Sequence, residues 1–116
     1  MSKFHGKRTP NGCVVTFDGR PLDPCLYIRN HSPDGFNWGY GGSGPAQLAL
    51  AMIVRVSCTR VAQTLYQEFK AGVIARITVD EWEVPAQAIS WWVNERLMGL
   101  PEEKKQRLLK ALGKKR

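Results

Sequence analysis

Four glycines fall within the six residues Gly39-Tyr40-Gly41-Gly42-Ser43-Gly44, and Pro45-Ala46-Gln47-Leu48-Ala49-Leu50-Ala51 follows at once as an apolar run. Glycine loses the most backbone entropy on folding, so such a cluster belongs where the chain bends tightly or approaches something closely. Successive glycine N–H groups ahead of a helix form a concave, partly positive cradle that suits an anion. Ser43 adds a hydroxyl, and Arg29 and His31 stand just upstream as sources of charge. Trp38 and Tyr40 could stack on a base. The residues expected to hold a nucleotide-like ligand are therefore Arg29, His31, Trp38, Tyr40, Gly41, Gly42, Ser43, Gly44 and Gln47. The same residues admit a plainer reading, in which the glycines let the loop lie flat on the following helix and the aromatics fill the core.

Catalytic motifs fail one by one. Residues 39–44 match G-x-G-x-x-G, but two helical patterns intervene before the next strand-like segment, and no acidic residue ends a second parallel strand. A P-loop needs Lys-Ser/Thr after the last glycine, where Pro45-Ala46 stands. The nucleophile elbow G-x-S-x-G is broken by Pro45. The three cysteines, Cys13, Cys25 and Cys58, are widely spaced and unpaired by any C-x-x-C. With His5 and His31 away from ligand spacing, they read as reduced thiols rather than a zinc site. The expectation is a non-enzymatic protein with no catalytic residue, cofactor or metal.

The elements that must position the loop can be read from periodicity. The chain of 116 residues, 43% hydrophobic with four tryptophans, is the size of one domain with one core. Residues 3–9 and 13–17 read as strands joined by Pro10-Asn11-Gly12, with a second turn at Asp18-Gly19-Arg20-Pro21. Leu26-Tyr27-Ile28 reads as a third strand or an extended connection, followed by a long loop from Asn30 to Gly44. A first helix is expected from Pro45, with Gly44 as N-cap and Gln47 bonding back to the cap. Its lack of a polar face puts it at the centre of the core. A second helix, capped by Thr59 and running to Ala71, buries Val61, Leu65 and Phe69 and stops at Gly72. Val73 to Val79 alternates as a strand, and Asp80 to Val84 is a connection. A third helix runs from Pro85 to Met98, and a fourth begins at Pro101 with Leu108, Leu109 and Leu112. The order predicts an α+β domain over residues 1–99, a small antiparallel sheet of three or four short strands packed with three or four helices, and a basic C-terminal helix or tail over residues 100–116.

The net charge of +7 is unevenly divided. Residues 101–116 carry Lys104, Lys105, Arg107, Lys110, Lys114, Lys115 and Arg116 against Glu102 and Glu103, leaving the rest of the chain nearly balanced. These basic residues are expected to contact nucleic acid or a partner through salt-sensitive attraction, the alternative being a solvated terminal helix. Adjacent Trp91 and Trp92 point about 100° apart on a helix, so one of them could mark a partner surface, and Trp91 lies at the edge of the buried stripe. The longest apolar run is too short to span a membrane and the N-terminus lacks the apolar region of a signal peptide, so a cytosolic protein is expected. A homodimer would help to cover the apolar first helix.

The run from His31 to Ala51, together with Phe4-His5-Gly6-Lys7-Arg8, Tyr66-Gln67-Glu68-Phe69-Lys70 and the Trp82 segment, resembles a small family of uncharacterised proteins from bacteria, their phages and plasmids. The resemblance spans most of residues 3–98 and implies a shared fold. It transfers no catalytic residue, cofactor or substrate. Small proteins of such origin are often accessory factors, which implies a role in counteracting host defence by sequestering a nucleotide signal or by inhibiting a defence complex such as a CRISPR effector.

Overall fold

The computed structural model describes residues 1–115, with side chains up to Gly113, so Lys114, Lys115 and Arg116 as expected contacts lie outside the described side chains. Strand β1 (Lys3–Thr9) turns at Pro10-Asn11 into β2 (Gly12–Phe17), and the pair runs antiparallel from Phe4 opposite Phe17 to Thr9 opposite Gly12. The Thr9 hydroxyl donates to the Gly12 carbonyl at 2.8 Å and accepts from the Asn11 N–H, closing the turn. Asp18 and Gly19 both take positive φ, 52° and 82°, the two-residue turn whose twist matches a hairpin. It leads into the two-residue edge strand β3 (Arg20–Pro21). Here the expected second turn is shorter than read and gives its last two residues to the sheet. Strand β4 (Glu81–Pro85) joins the other side of β1, giving the antiparallel order β3-β2-β1-β4.

Two strand expectations need correction. Residues 73–79 contain a single-turn 3-10 helix, Ile74–Arg76, in place of a strand. Their carbonyls serve the glycine-rich loop instead of a ladder, since Gly39 N–H donates to Ile74 O at 3.1 Å and the Trp38 indole N–H to Val79 O at 2.9 Å. The strand is the segment read as a connection, where alternation puts Trp82 and Val84 toward the core and Glu81 and Glu83 outward. Those carboxylates meet side chains of β1, Glu83 with the Lys3 ammonium at 2.8 Å and Glu81 with the His5 ring at 2.7 Å. The Lys3 ammonium, hydrogen-bonded to Glu83, holds that carboxyl below the usual carboxylate range. Leu26-Tyr27-Ile28 is a turn, with Ile28 N–H donating to Cys25 O at 3.0 Å.

Helix α1 (Ser43–Val56) starts two residues before Pro45, with Gly42 in extended backbone as its N-cap in place of Gly44. Gly44 through Ile53 are all buried, as a run without a polar face requires. Helix α2 (Thr59–Gly72) packs Val61, Leu65 and Phe69 along α1. Helix α3 (Ala86–Met98) buries Ile89, Val93 and Leu97 and half-buries Trp92, whose ring meets Phe69 edge-on at 4.9 Å. Helix α4 (Glu102–Lys115) returns onto α2 and α3 and buries Leu108. The fold is α+β, with Phe4, Val15 and Trp82 of the sheet closing one core with the four helices. Among the described residues, no helix is long and apolar enough to cross a membrane.

The sheet's inner face has one point of very close approach. A Cβ on Gly6 would lie 2.3 Å from the Trp82 ring that faces it across β1 and β4. Gly6→Ala must therefore displace a buried indole that also packs edge-on against Trp38, with ring centroids 5.3 Å apart. A loss of about 2–3 kcal/mol is expected in urea unfolding, and an unchanged midpoint would show that β4 can shift away at little cost.

Candidate functional site

The glycine-rich loop is held from three sides. Arg8 of β1 donates through one guanidinium nitrogen to Asn37 Oδ1 at 3.1 Å and to Trp38 O at 2.7 Å, and through the other to Asp80 at 3.1 Å. Its guanidinium also lies over the Trp38 ring, 4.7 Å from the centroid. Asn37 Oδ1 accepts the Trp38 N–H at 2.9 Å as well, so the Asn37-Trp38 corner is fixed. Trp38 itself is fully buried. It is therefore no stacking platform: the indole fills the core between the loop and β4.

Gln47 is also fully buried and does not bond back to the helix cap. Its Oε1 accepts the N–H groups of His31 at 2.8 Å and Ser32 at 3.2 Å. Its Nε2 donates to the carbonyls of Arg29, at 2.9 Å, and Pro24. All four bonds are internal, so the expected ligand contact is instead a clamp holding residues 24–32 on α1. His31 is engaged too, with its Nε2 2.7 Å from the Tyr66 hydroxyl on α2. Two of the glycines exist for the packing of Tyr40 and Asn37. A Cβ on Gly42 would meet the Tyr40 ring at 2.3 Å, and one on buried Gly44 would meet Asn37 Cβ at 2.7 Å. Of the residues expected to hold a nucleotide, Arg29, Tyr40, Gly41 and Ser43 remain exposed.

A cleft does form elsewhere. Between the start of α2 and α4 lies a depression of about 450 Å³ lined by Arg60, Arg107, Lys110 and Ala111. It is flanked by a second, of about 360 Å³, that shares Arg60 and Arg107 and adds Thr64, Lys104 and Leu108. Helix periodicity puts Lys104, Arg107 and Leu108 on adjacent rows of α4, so burying Leu108 against the domain turns the two cations toward Arg60. Among the described residues, no ion pair engages Arg60, Lys104, Arg107 or Lys110. Lys105 differs: its ammonium is 2.8 Å from Glu102, whose carboxyl is held low by that bond, and it does not line the clefts. Arg60 was not among the residues expected from sequence. The available signal was its place in the first turn of α2, where the helix dipole is positive and no acidic residue stands. Trp91 is 68% exposed on α3, far from the buried role of Trp92. Among the described residues, no cluster of three metal-ligating side chains occurs.

The chain belongs to the family of unknown function DUF6166, whose model matches residues 4–95. No curated protein and no solved structure matches it. The match takes in the glycine-rich loop and Arg60 and ends within α3, before α4 begins.

The clamp can be tested directly. Gln47→Leu keeps the volume but strands two carbonyls and two N–H groups, and a loss of about 3 kcal/mol is expected in chemical denaturation. Faster amide hydrogen exchange over residues 24–32 should accompany it. A loss below about 1 kcal/mol would mean that water replaces the carboxamide.

Proposed function

We propose that the protein is a non-enzymatic nucleic-acid-binding protein that takes phosphate on the basic face between α2 and α4. The observation that supports this most is the facing of Arg60 with Lys104, Arg107 and Lys110 across a cleft, none of them in an ion pair among the described residues. Like charges gathered on one face repel, and stability alone favours an acidic residue where Arg60 stands. A bound phosphate chain would offset that repulsion. The resemblance to proteins of bacteria, phages and plasmids suggests the setting: an accessory protein of a phage or mobile element that counteracts host defence in the bacterial cytoplasm. Neutralising about four phosphates gives a slope near −3.6 for log K against log salt on duplex DNA. Fluorescence anisotropy with a mixed-sequence oligonucleotide duplex should show it, and Arg107→Glu should weaken binding about tenfold or more with an unchanged melting temperature. A flat salt dependence would sink the proposal.

A second reading, inhibition of a host defence complex such as a CRISPR effector, is favoured by one observation. Trp91 and Met98 are seven positions apart on α3, hence on one face, and both are mostly exposed. Exposed aromatic and methionine side chains are enriched at interfaces. On this reading a host complex co-purifies with the wild-type protein and is lost with Trp91→Ala, while nucleic-acid affinity stays unchanged; retention of the complex would reject this surface. A nucleotide signal held at the glycine-rich loop has less support, because Trp38 and Gln47 are committed to internal contacts.

A further inference from the structure

We infer that the basic cleft reads the sugar-phosphate backbone of a double-stranded nucleic acid and not a single strand, an inference that rests on the nucleic-acid reading above. The two depressions share Arg60 and Arg107 and so form one furrow along α2 and α4. Its polar lining consists of guanidinium, ammonium and hydroxyl groups, from Arg60, Thr64, Lys104, Arg107 and Lys110. These are phosphate donors. No aromatic ring lines the furrow, and single-strand binding depends on stacking successive bases on such rings. The exposed aromatics Tyr27, Tyr40 and Trp91 all stand outside it. Among the described residues, these two depressions are lined by no carboxamide or carboxylate, the groups that pair with adenine and cytosine edges. Gln106 and Glu103 line an adjoining depression on α4 that shares Arg107 and Lys110 with the furrow. Recognition through backbone alone is indifferent to sequence.

The furrow is also built for a regular ligand. Its cations stand on two helices packed together through buried Leu108, so the backbone positions that carry them are set before binding. A fixed array suits the constant phosphate spacing of a duplex, whereas a flexible strand must be ordered first. The same burial separates α4 from basic helices that lie on membranes, since those insert their apolar face into the bilayer and α4 turns Leu108 into its own core.

The test uses the full chain and fluorescence anisotropy at about 0.1 M salt. The probes are a mixed-sequence DNA duplex of about 20 base pairs, an RNA duplex and an oligo-dT strand of equal length, and vesicles of anionic phospholipid. One or both duplexes should bind at least about tenfold tighter than the single strand, and a change of duplex sequence should alter affinity less than about threefold. Arg60→Glu should reduce duplex binding by about tenfold or more. It places a carboxylate where the α2 dipole favours one, so its melting temperature should hold or rise; Arg60→Gln serves as the charge-neutral companion. A single strand bound as tightly as the duplex overturns the duplex inference and leaves the nucleic-acid reading standing. Binding to vesicles alone, or to none of the probes, overturns both.

Discussion

The structure depends on a buried carboxamide. Helix α1 is enclosed from Gly44 to Ile53, and Gln47 brings into that enclosure two donors and two acceptor sites that must be satisfied. The segment from Pro24 to Ser32 satisfies them with two carbonyls and two N–H groups. A long connection with little ladder of its own thereby becomes a fixed layer over the central helix. From there order spreads in two directions. His31 reaches Tyr66 on α2, and the chain continues to Asn37 and Trp38, where Arg8 ties it to the sheet. Sheet and helices are thus joined through one loop whose polar groups are consumed inside the protein.

This economy gives the glycines of residues 39–44 a role inside the protein. Backbone N–H groups cradle anions when the loop stands off the body and offers them to solvent. Here Tyr40 folds over Gly42, Asn37 packs on Gly44, and Gly39 N–H is already given to Ile74. Small residues give room for neighbours, and the neighbours here are the protein's own side chains.

The parts legible in the sequence are those set by local pattern. The hairpin follows from Pro10-Asn11-Gly12, the central helix from an unbroken apolar run, and α2 from the spacing of Val61, Leu65 and Phe69. The rest turns on which groups meet in space. Residues 73–79 alternate as a strand should, yet their carbonyls are claimed by Gly39 and Trp38. Residues 81–85 alternate too, but with glutamates on the outer face, whose fitness for a strand is plain only once Lys3 and His5 stand opposite. Gln47 at the head of a helix has the sequence signature of a capping residue, and only its burial reveals a clamp. For the same reason Arg60 escapes notice. Charge counted along the chain puts the excess in the tail, while charge counted by face requires knowing that Leu108 is buried.

That burial changes what the basic tail is. A solvated helix with scattered cations attracts phosphate weakly and without geometry, because each charge is free to follow its own counterion. Docked against α2, α4 brings Lys104 and Arg107 to the same furrow as Arg60, so the like charges are gathered before any ligand arrives. The matched family region supplies Arg60 and Thr64 but ends before the helix that supplies the other cations. If the furrow is the site, its affinity belongs to the chain as extended by α4, and the region up to residue 95 provides the scaffold and one half of the charge clamp. A single arginine at a helix start leaves its neighbours room to neutralise it. Three further cations on the facing helix concentrate positive charge there, and that is the physical argument behind the phosphate reading.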